Sequence, residues 1–206
     1  MKIAIVFTGI SYGHGRDFKH CFNNIKHNII KPIQSSNDTS IYITTYKSEV
    51  VEELNDYYSP KKSLFLEFKD SHQVLTYKKS IEQLIDEDID FIICTRFDIH
   101  FKKKISDINI DYTKFNVLFK ELGHWKWWSK NKFTSDNLFA FPKKYLSSFI
   151  NVLDDIYRRP ARANCNDLHH VFYRMRKIIG KKNTHIIFNK PALSDFNYIY
   201  HLCRKK

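Results

Sequence analysis

Asp90-Phe91-Ile92-Ile93-Cys94-Thr95-Arg96-Phe97-Asp98-Ile99-His100-Phe101 joins two different patterns end to end. Phe91 to Cys94 is a short continuous apolar run, as in a strand covered on both faces of a parallel or mixed sheet. After it, Arg96, Asp98 and His100 alternate with Phe97, Ile99 and Phe101. A two-residue period predicts the three polar groups on one side of an extended segment and the hydrophobes on the other. An acid and an imidazole two positions apart at a strand's carboxyl end suit a divalent cation held against a phosphate. A solvated polar face on an edge strand has the same spacing, so spacing alone leaves both readings open.

Working outward, strands alternate with helices. Lys2 to Thr8 reads as a buried strand ending at Gly9. Between Asp17 and Ile30, Phe18, Phe22, Ile25 and Ile29 recur at helical spacing, and Pro32 is expected to close that helix. Ser40 to Tyr46 is a second strand, rich in β-branched and aromatic residues. Ser48 to Tyr58 is a short helix stopped by Pro60, Leu64 to Phe68 a third strand, and Gln73 to Ile85 a further helix before the strand at Asp90. Such alternation predicts a parallel sheet with helices on both faces. Ligands of such sheets bind beyond the carboxyl ends of the strands, so the loop after Thr8 and the motif after Cys94 should meet at one crevice.

The second half is less regular. Val117 to Glu121, Leu138 to Phe141 and His185 to Phe188 read as strands; Lys143 to Tyr157 and Asn166 to Ile179 read as helices. His169 and His170 are adjacent, so on a helix they point about 100° apart and cannot share a metal ion; one core and one surface histidine is the expectation. No internal repeat or low-complexity tract interrupts the chain.

At 206 residues the sequence fits a single domain, residues 1–206, and 43% hydrophobic content with 16% aromatics indicates a packed core. Only 5 Gly and 5 Pro argue against a long flexible linker, a collagen-like sequence or a Gly-rich disordered arm. No apolar run reaches the ~20 residues of a spanning helix, and the apolar start Ile3 to Phe7 is too short for a signal peptide, so a soluble, cytoplasmic protein is expected. Cys21, Cys94, Cys165 and Cys203 lie far apart, without the spacing of a zinc ribbon or disulfide framework.

The net charge of +12, from 34 Lys plus Arg against 22 Asp plus Glu, suits a polyanionic partner: nucleic acid, an anionic membrane surface or a phosphorylated substrate. Its basic clusters are short and dispersed, which argues against one nucleic-acid stripe and leaves peripheral membrane contact open. A non-catalytic basic module binding nucleic acid or anionic lipid is therefore the alternative to an enzyme.

Thr8-Gly9-Ile10-Ser11-Tyr12-Gly13-His14-Gly15 also satisfies the T-G-x-x-x-G-x-G loop of short-chain dehydrogenases, between a strand and a helix, where glycines admit a pyrophosphate. Tyr173 and Lys177 supply a Y-x-x-x-K. Only 29 residues follow Lys177, and an acidic ribose ligand after the second strand is missing, so an NAD(P) enzyme of that kind is the lesser alternative. Gly9 lacks the Gly-Lys-Ser/Thr continuation of a Walker A loop.

The order of several segments carries a resemblance. The N-terminal strand with Gly9 and Arg16, the run Cys21 to Pro32, Ile41 to Tyr46, Asp90 to Asp98 and Ser135-Asp136-Asn137-Leu138-Phe139-Ala140-Phe141 together resemble a family of small GT-A-like glycosyltransferases of bacteria and large DNA viruses. The resemblance covers most of residues 1 to 190. It departs at Ser11 to Gly15, an insertion that delays Arg16, and at Asp98-Ile99-His100, where the wider class has Asp-x-Asp.

The resemblance implies a single Rossmann-like α/β/α domain with a mostly parallel mixed sheet. The activity it implies is transfer of a hexosyl or pentosyl group from a nucleotide-diphosphate sugar to a hydroxyl on a glycan or glycoprotein, in glycan biosynthesis, within the host cytoplasm if the source is viral. A Mn²⁺ or Mg²⁺ ion held by Asp98 with His100 would neutralise the departing diphosphate, and an imidazole suits Mn²⁺ better than Mg²⁺. Thr8, Gly9, Arg16, Thr45 and Arg96 are the expected donor-binding residues. Asp136 is the first candidate for deprotonating the acceptor, or else caps the turn before Leu138. Asp167 is the second, unless it serves as a helix N-cap. Trp125, Trp127 and Trp128 are expected to stack on acceptor sugar rings or to join the core.

Overall fold

The computed structural model describes residues 1–70, 72–121, 133–158, 168–192 and 199–203. Its centre is β1 (Lys2–Thr8), in which Ile3 to Phe7 are all at most 1% exposed. The pleat divides them. Ile3, Ile5 and Phe7 join one hydrophobic layer and Ala4 and Val6 the opposite one, as period-two alternation requires when both faces are covered. At roughly 1.5–3 kcal/mol for each large apolar side chain removed from water, this strand anchors both layers.

Two very short strands, β2 (Tyr12–Gly13) and β3 (Arg16–Asp17), follow and form a hairpin. Helix α1 (Lys19–Ile25) then runs into a π turn, Lys26–Ile30, and α2 (Lys31–Gln34). Pro32 thus sits inside the helical run instead of closing it. The run widens just ahead of it, the Lys31 N–H reaching back five residues to Lys26 O, and a looser turn accommodates a residue that lacks a donor. Next come β4 (Asp38–Tyr46), α3 (Val51–Tyr58), β5 (Lys62–Leu66), α4 (Gln73–Glu82), β6 (Phe91–Arg96) and β7 (Ile99–Phe101). The remaining elements are β8 (Phe115–Glu121), β9 (Leu138–Pro142), α5 (Leu146–Arg158), α6 (Val171–Ile179), β10 (Thr184–Ala192) and β11 (Tyr200–Leu202).

Seven strands form the main sheet in the order β10-β8-β9-β6-β1-β4-β5. All run parallel except β9, which is antiparallel to both neighbours. The layer under Ile5 takes Phe18, Cys21, Phe22 and Ile25 of the first helical run with Leu54 and Tyr58 of α3. The other takes Val74, Tyr77 and Ile81 of α4, Phe149 and Leu153 of α5, and Phe172 and Met175 of α6. The result is a mostly parallel mixed sheet between helical layers.

From β1 the chain builds outward through β4 and β5, then crosses back to place β6 on the other side of β1. The strand order reverses there, and a crevice opens beyond the carboxyl ends of β1 and β6. Thr8 and Arg96 are partners on the last rung at that point.

The alternating segment after Cys94 is not one continuous extended stretch. Its strand breaks at Phe97–Asp98, and β7 leaves the main sheet to pair antiparallel with β11. Backbone bonds from Lys102 N–H to Ile199 O (2.6 Å) and from Cys203 N–H to Asp98 O (2.8 Å) extend that small ladder. The turn keeps Arg96 and Asp98 together and carries His100 away with the second sheet. Cys21 and Cys203, distant in sequence, become neighbours as free thiols; burial, then the Cys203 thiol, pushes the Cys21 thiol upward. His169 and His170 are both half-buried on a short 3₁₀ turn, where the expectation was one of each kind. Among the described residues no helix is long and apolar enough to cross a membrane.

Candidate active site

The loop leaving β1 sets one wall of the crevice. Gly9 turns the chain at φ +102°, a conformation that favours glycine, and its N–H bonds Thr44 O at 3.1 Å. Tyr12 opposes Asp17 and Gly13 opposes Arg16, so His14 and Gly15 are the two central residues of the hairpin turn. Their φ values of 51° and 75° are both positive, as a type I′ turn demands. The glycines that match a dinucleotide loop therefore build a β-hairpin, and the chain does not pass directly from strand to helix. Tyr173 and Lys177 lie on α6, which packs on α5 and on the β8 and β10 side of the sheet, and the dehydrogenase reading finds no support.

Thr8 and Thr45, expected to bind donor, are both fully buried and hold the framework. Ser80 Oγ donates to Thr8 Oγ1 at 2.7 Å, which ties α4 to the end of β1. Thr45 Oγ1 donates to Ser11 Oγ at 2.8 Å and accepts the Ser11 N–H at 3.2 Å, which pins the root of the hairpin to β4. The hairpin so fixed carries Arg16 over the crevice.

There Arg16 meets Asp98 and Arg96. The Asp98 side chain is 3% exposed. Arg96 grips it in a fork, Nε to Oδ1 at 2.9 Å and Nη2 to Oδ2 at 2.7 Å, while Arg16 Nε donates to Oδ2 at 3.1 Å. Arg96 Nη1 also reaches Asn137 Oδ1 at 3.4 Å and stands 4.0 Å from Asp136 Oδ2. Burial by itself lowers the pKa of Arg96, but the adjacent Asp98 and Asp136 carboxylates outweigh it and raise the pKa further.

Asp136 is held beside this cluster. Gln73 Nε2 donates to its Oδ2 at 2.9 Å, and the Tyr77 hydroxyl donates to its backbone oxygen at 3.0 Å. Burial raises the Tyr77 pKa strongly, so that hydroxyl keeps its proton. The next residue is fixed as well: Thr95 Oγ1 donates to Asn137 O at 2.9 Å, and the Asn137 amide donates to the hydroxyl of Tyr200. Asp136 Oδ1 accepts no hydrogen bond from the described residues.

Gly9, Ile10, Arg16, Tyr46, His72, Gln73, Thr76, Tyr77 and Arg96 line an open cleft of about 360 Å³ at this point. At one side Phe68 meets Tyr46 edge-on at 5.2 Å and stacks on His14 at 4.3 Å. Gly9, Arg16 and Arg96 of the expected donor-binding set thus converge, and Asp136 stands next to them. Tyr46, Gln73 and Tyr77 were not read from the sequence; the helical pattern around Gln73 gave no sign that the helix starts at the crevice. Asp167, Trp125, Trp127 and Trp128 lie outside the described residues.

The expected metal ligands do not converge. Both Asp98 oxygens are taken by guanidinium groups, and a cation there would stand beside two positive charges. His100 is absent from the cleft lining; its ring stacks on His201 at 4.4 Å in the small ladder, with Nδ1 buried and unbonded among the described residues. No group of three His, Cys, Asp or Glu able to hold a metal ion occurs among the described residues. This donor set does not fit a divalent cation.

Comparison with solved structures places this architecture. A nucleoside-diphosphate-sugar pyrophosphorylase from Vibrio cholerae RC9 superposes with a TM-score of 0.51, covering 90% of this chain and 91% of that one. The two chains share a fold. At 12% identity the likeness is one of Rossmann-like α/β/α architecture alone. No protein-family model and no curated protein matches the sequence.

Proposed function

We propose that this protein is a GT-A-like glycosyltransferase, moving a sugar from a nucleoside-diphosphate sugar to a hydroxyl of a glycan or glycoprotein. One observation carries the reading: Arg16 and Arg96, 80 positions apart, meet in a cleft at the strand-order reversal with the carboxylate of Asp136 beside them. Guanidinium forks match phosphate oxygens, and strand carboxyl ends at a reversal are where such sheets take ligands. Tyr46 and Phe68 supply aromatic surface for a base. The fold shared with a nucleoside-diphosphate-sugar pyrophosphorylase supports a nucleotide-sugar ligand.

Asp136 is the residue for acceptor chemistry. Gln73 occupies Oδ2 and fixes the carboxylate, and Oδ1 is left to accept a proton from the incoming hydroxyl. Tyr77 and Thr95 hold the backbone around it through the Asp136 and Asn137 carbonyls.

Equilibrium titration with UDP- and GDP-sugars, with Mn²⁺ supplied, followed by a search for transferred sugar on glycan acceptors, tests the proposal. Saturable binding with transfer supports it. Failure to bind any nucleotide sugar, beside tight nucleic-acid or anionic-vesicle binding that falls steeply with salt, would overturn it in favour of a basic binding module.

A further inference from the structure

We infer that Arg16 and Arg96, with Asp98 locked between them, form a diphosphate clamp that works without a divalent cation. The inference rests on the nucleotide-sugar reading above and concerns what neutralises the leaving group.

A carboxylate offers about four lone-pair sites. In Asp98 three are filled by N–H donors at 2.7, 2.9 and 3.1 Å, and the group is 3% exposed. A metal ion would have to displace those donors and then lie against the guanidinium groups it had displaced. The opposite assignment has no such conflict. Asp98 orients two cations that both line the cleft: Arg16 Nη2 has no partner among the described residues, and Arg96, with Nε and Nη2 on Asp98, keeps Nη1 on a long 3.4 Å contact to Asn137 Oδ1 that a phosphate oxygen could replace. Asp98 is then a positioning residue. Two guanidinium groups against the Asp98 charge leave one positive charge, which Asp136, 4.0 Å from Arg96 Nη1, balances until its carboxylate takes up the acceptor proton.

The chemistry balances without a metal. The bond from the anomeric carbon to the diphosphate oxygen breaks, its electron pair staying on the diphosphate. The acceptor oxygen bonds the anomeric carbon, and its proton passes to Asp136. Negative charge grows on the diphosphate during this step, and preoriented donors aimed at growing charge lower the barrier.

Calorimetric titration of UDP and GDP into the full chain, once with EDTA and once with excess MnCl₂, decides the matter. The clamp predicts affinities within about threefold of each other. In EDTA, Arg16→Gln should weaken binding by roughly 10–100-fold, since a charge-assisted bond to phosphate is lost. Arg16→Lys should fall between, because lysine keeps the charge and loses the fork. Circular dichroism melts of both variants establish that they are folded. Binding seen only with Mn²⁺, or unchanged by Arg16→Gln, overturns the clamp and leaves the nucleotide-sugar reading standing. Absence of UDP and GDP binding in both conditions overturns the reading itself and the clamp with it.

Discussion

Asp98→Asn should destabilise the fold more than an isosteric change usually does. The carboxylate accepts two bonds from Arg96 and one from Arg16, and Arg96 is only 13% exposed. Asparagine keeps one acceptor oxygen and turns an N–H₂ group toward the guanidinium groups. Removing one partner of a buried ion pair costs roughly 3–5 kcal/mol. The retained acceptor and the partial exposure of Arg16, 19%, reduce this, and about 2–4 kcal/mol is expected. For a chain of this length each kcal/mol moves the midpoint by about 2–4 °C, so Tm should fall by roughly 4–16 °C. Thermal and urea unfolding followed by circular dichroism at neutral pH measures it. Adding Arg16→Gln to Asp98→Asn removes one unpaired cation and should recover about 1 kcal/mol, a coupling that independent sites would lack. A single variant melting within about 2 °C of wild type would refute the argument, because the carboxylate would then not be compensating a buried charge.

Asp136→Asn should lower the rate of sugar transfer by roughly 10²–10⁴-fold while nucleotide-sugar affinity changes little, a split read by product assay against titration. Asn116 is fully buried, its Nδ2 donating to the Asp111, Lys114 and Ala140 carbonyls and its Oδ1 accepting the Asp111 N–H. Asn116→Leu orphans those groups and should cost about 3–5 kcal/mol in urea unfolding. At the far end of the sheet, Glu87 accepts bonds from Lys61 (2.6 Å), Lys62 and Tyr42 (2.9 Å), which hold its pKa down at about 2 against an ordinary 4.5. A depressed acid stabilises fully above its unfolded-state value and loses that contribution as pH falls toward its folded one. Glu87→Gln should therefore be about 1–2 kcal/mol less stable at pH 7, with the lysines half exposed, and the gap should close as pH drops from about 4.5 to 2.

Much of the layering was legible because burial leaves a local record. Lys2 to Thr8 and Phe91 to Cys94 read as strands covered on both faces and are so, since only side chains buried on both sides of a pleat form an unbroken apolar run. Alternating strands and helices implied the parallel sheet, and the parallel sheet implied the crevice joining Gly9 to Arg96. Local rules failed where one residue type serves two geometries. Glycines with positive φ suit a phosphate loop and a type I′ hairpin alike, and the anchoring of Ser11 on Thr45 selects the hairpin. Alternation from Arg96 to His100 suited one extended strand, yet pairing of β7 with β11, a partner about 100 residues away, turns the chain at Asp98.

By itself the sequence determined which segments are buried, which are helical or extended, and that Arg96, Asp98 and Asp136 are polar groups set at strand ends. Those properties follow from the periodicity of a few neighbouring side chains. Tertiary structure alone decided that Arg16 lies 3.1 Å from Asp98, that Gln73 holds Asp136, and that Thr8 and Thr45 brace the walls and are absent from the cleft lining. Each depends on where distant strands pair and on which groups must satisfy one another once water is excluded, and neither is written in the spacing of residues along the chain.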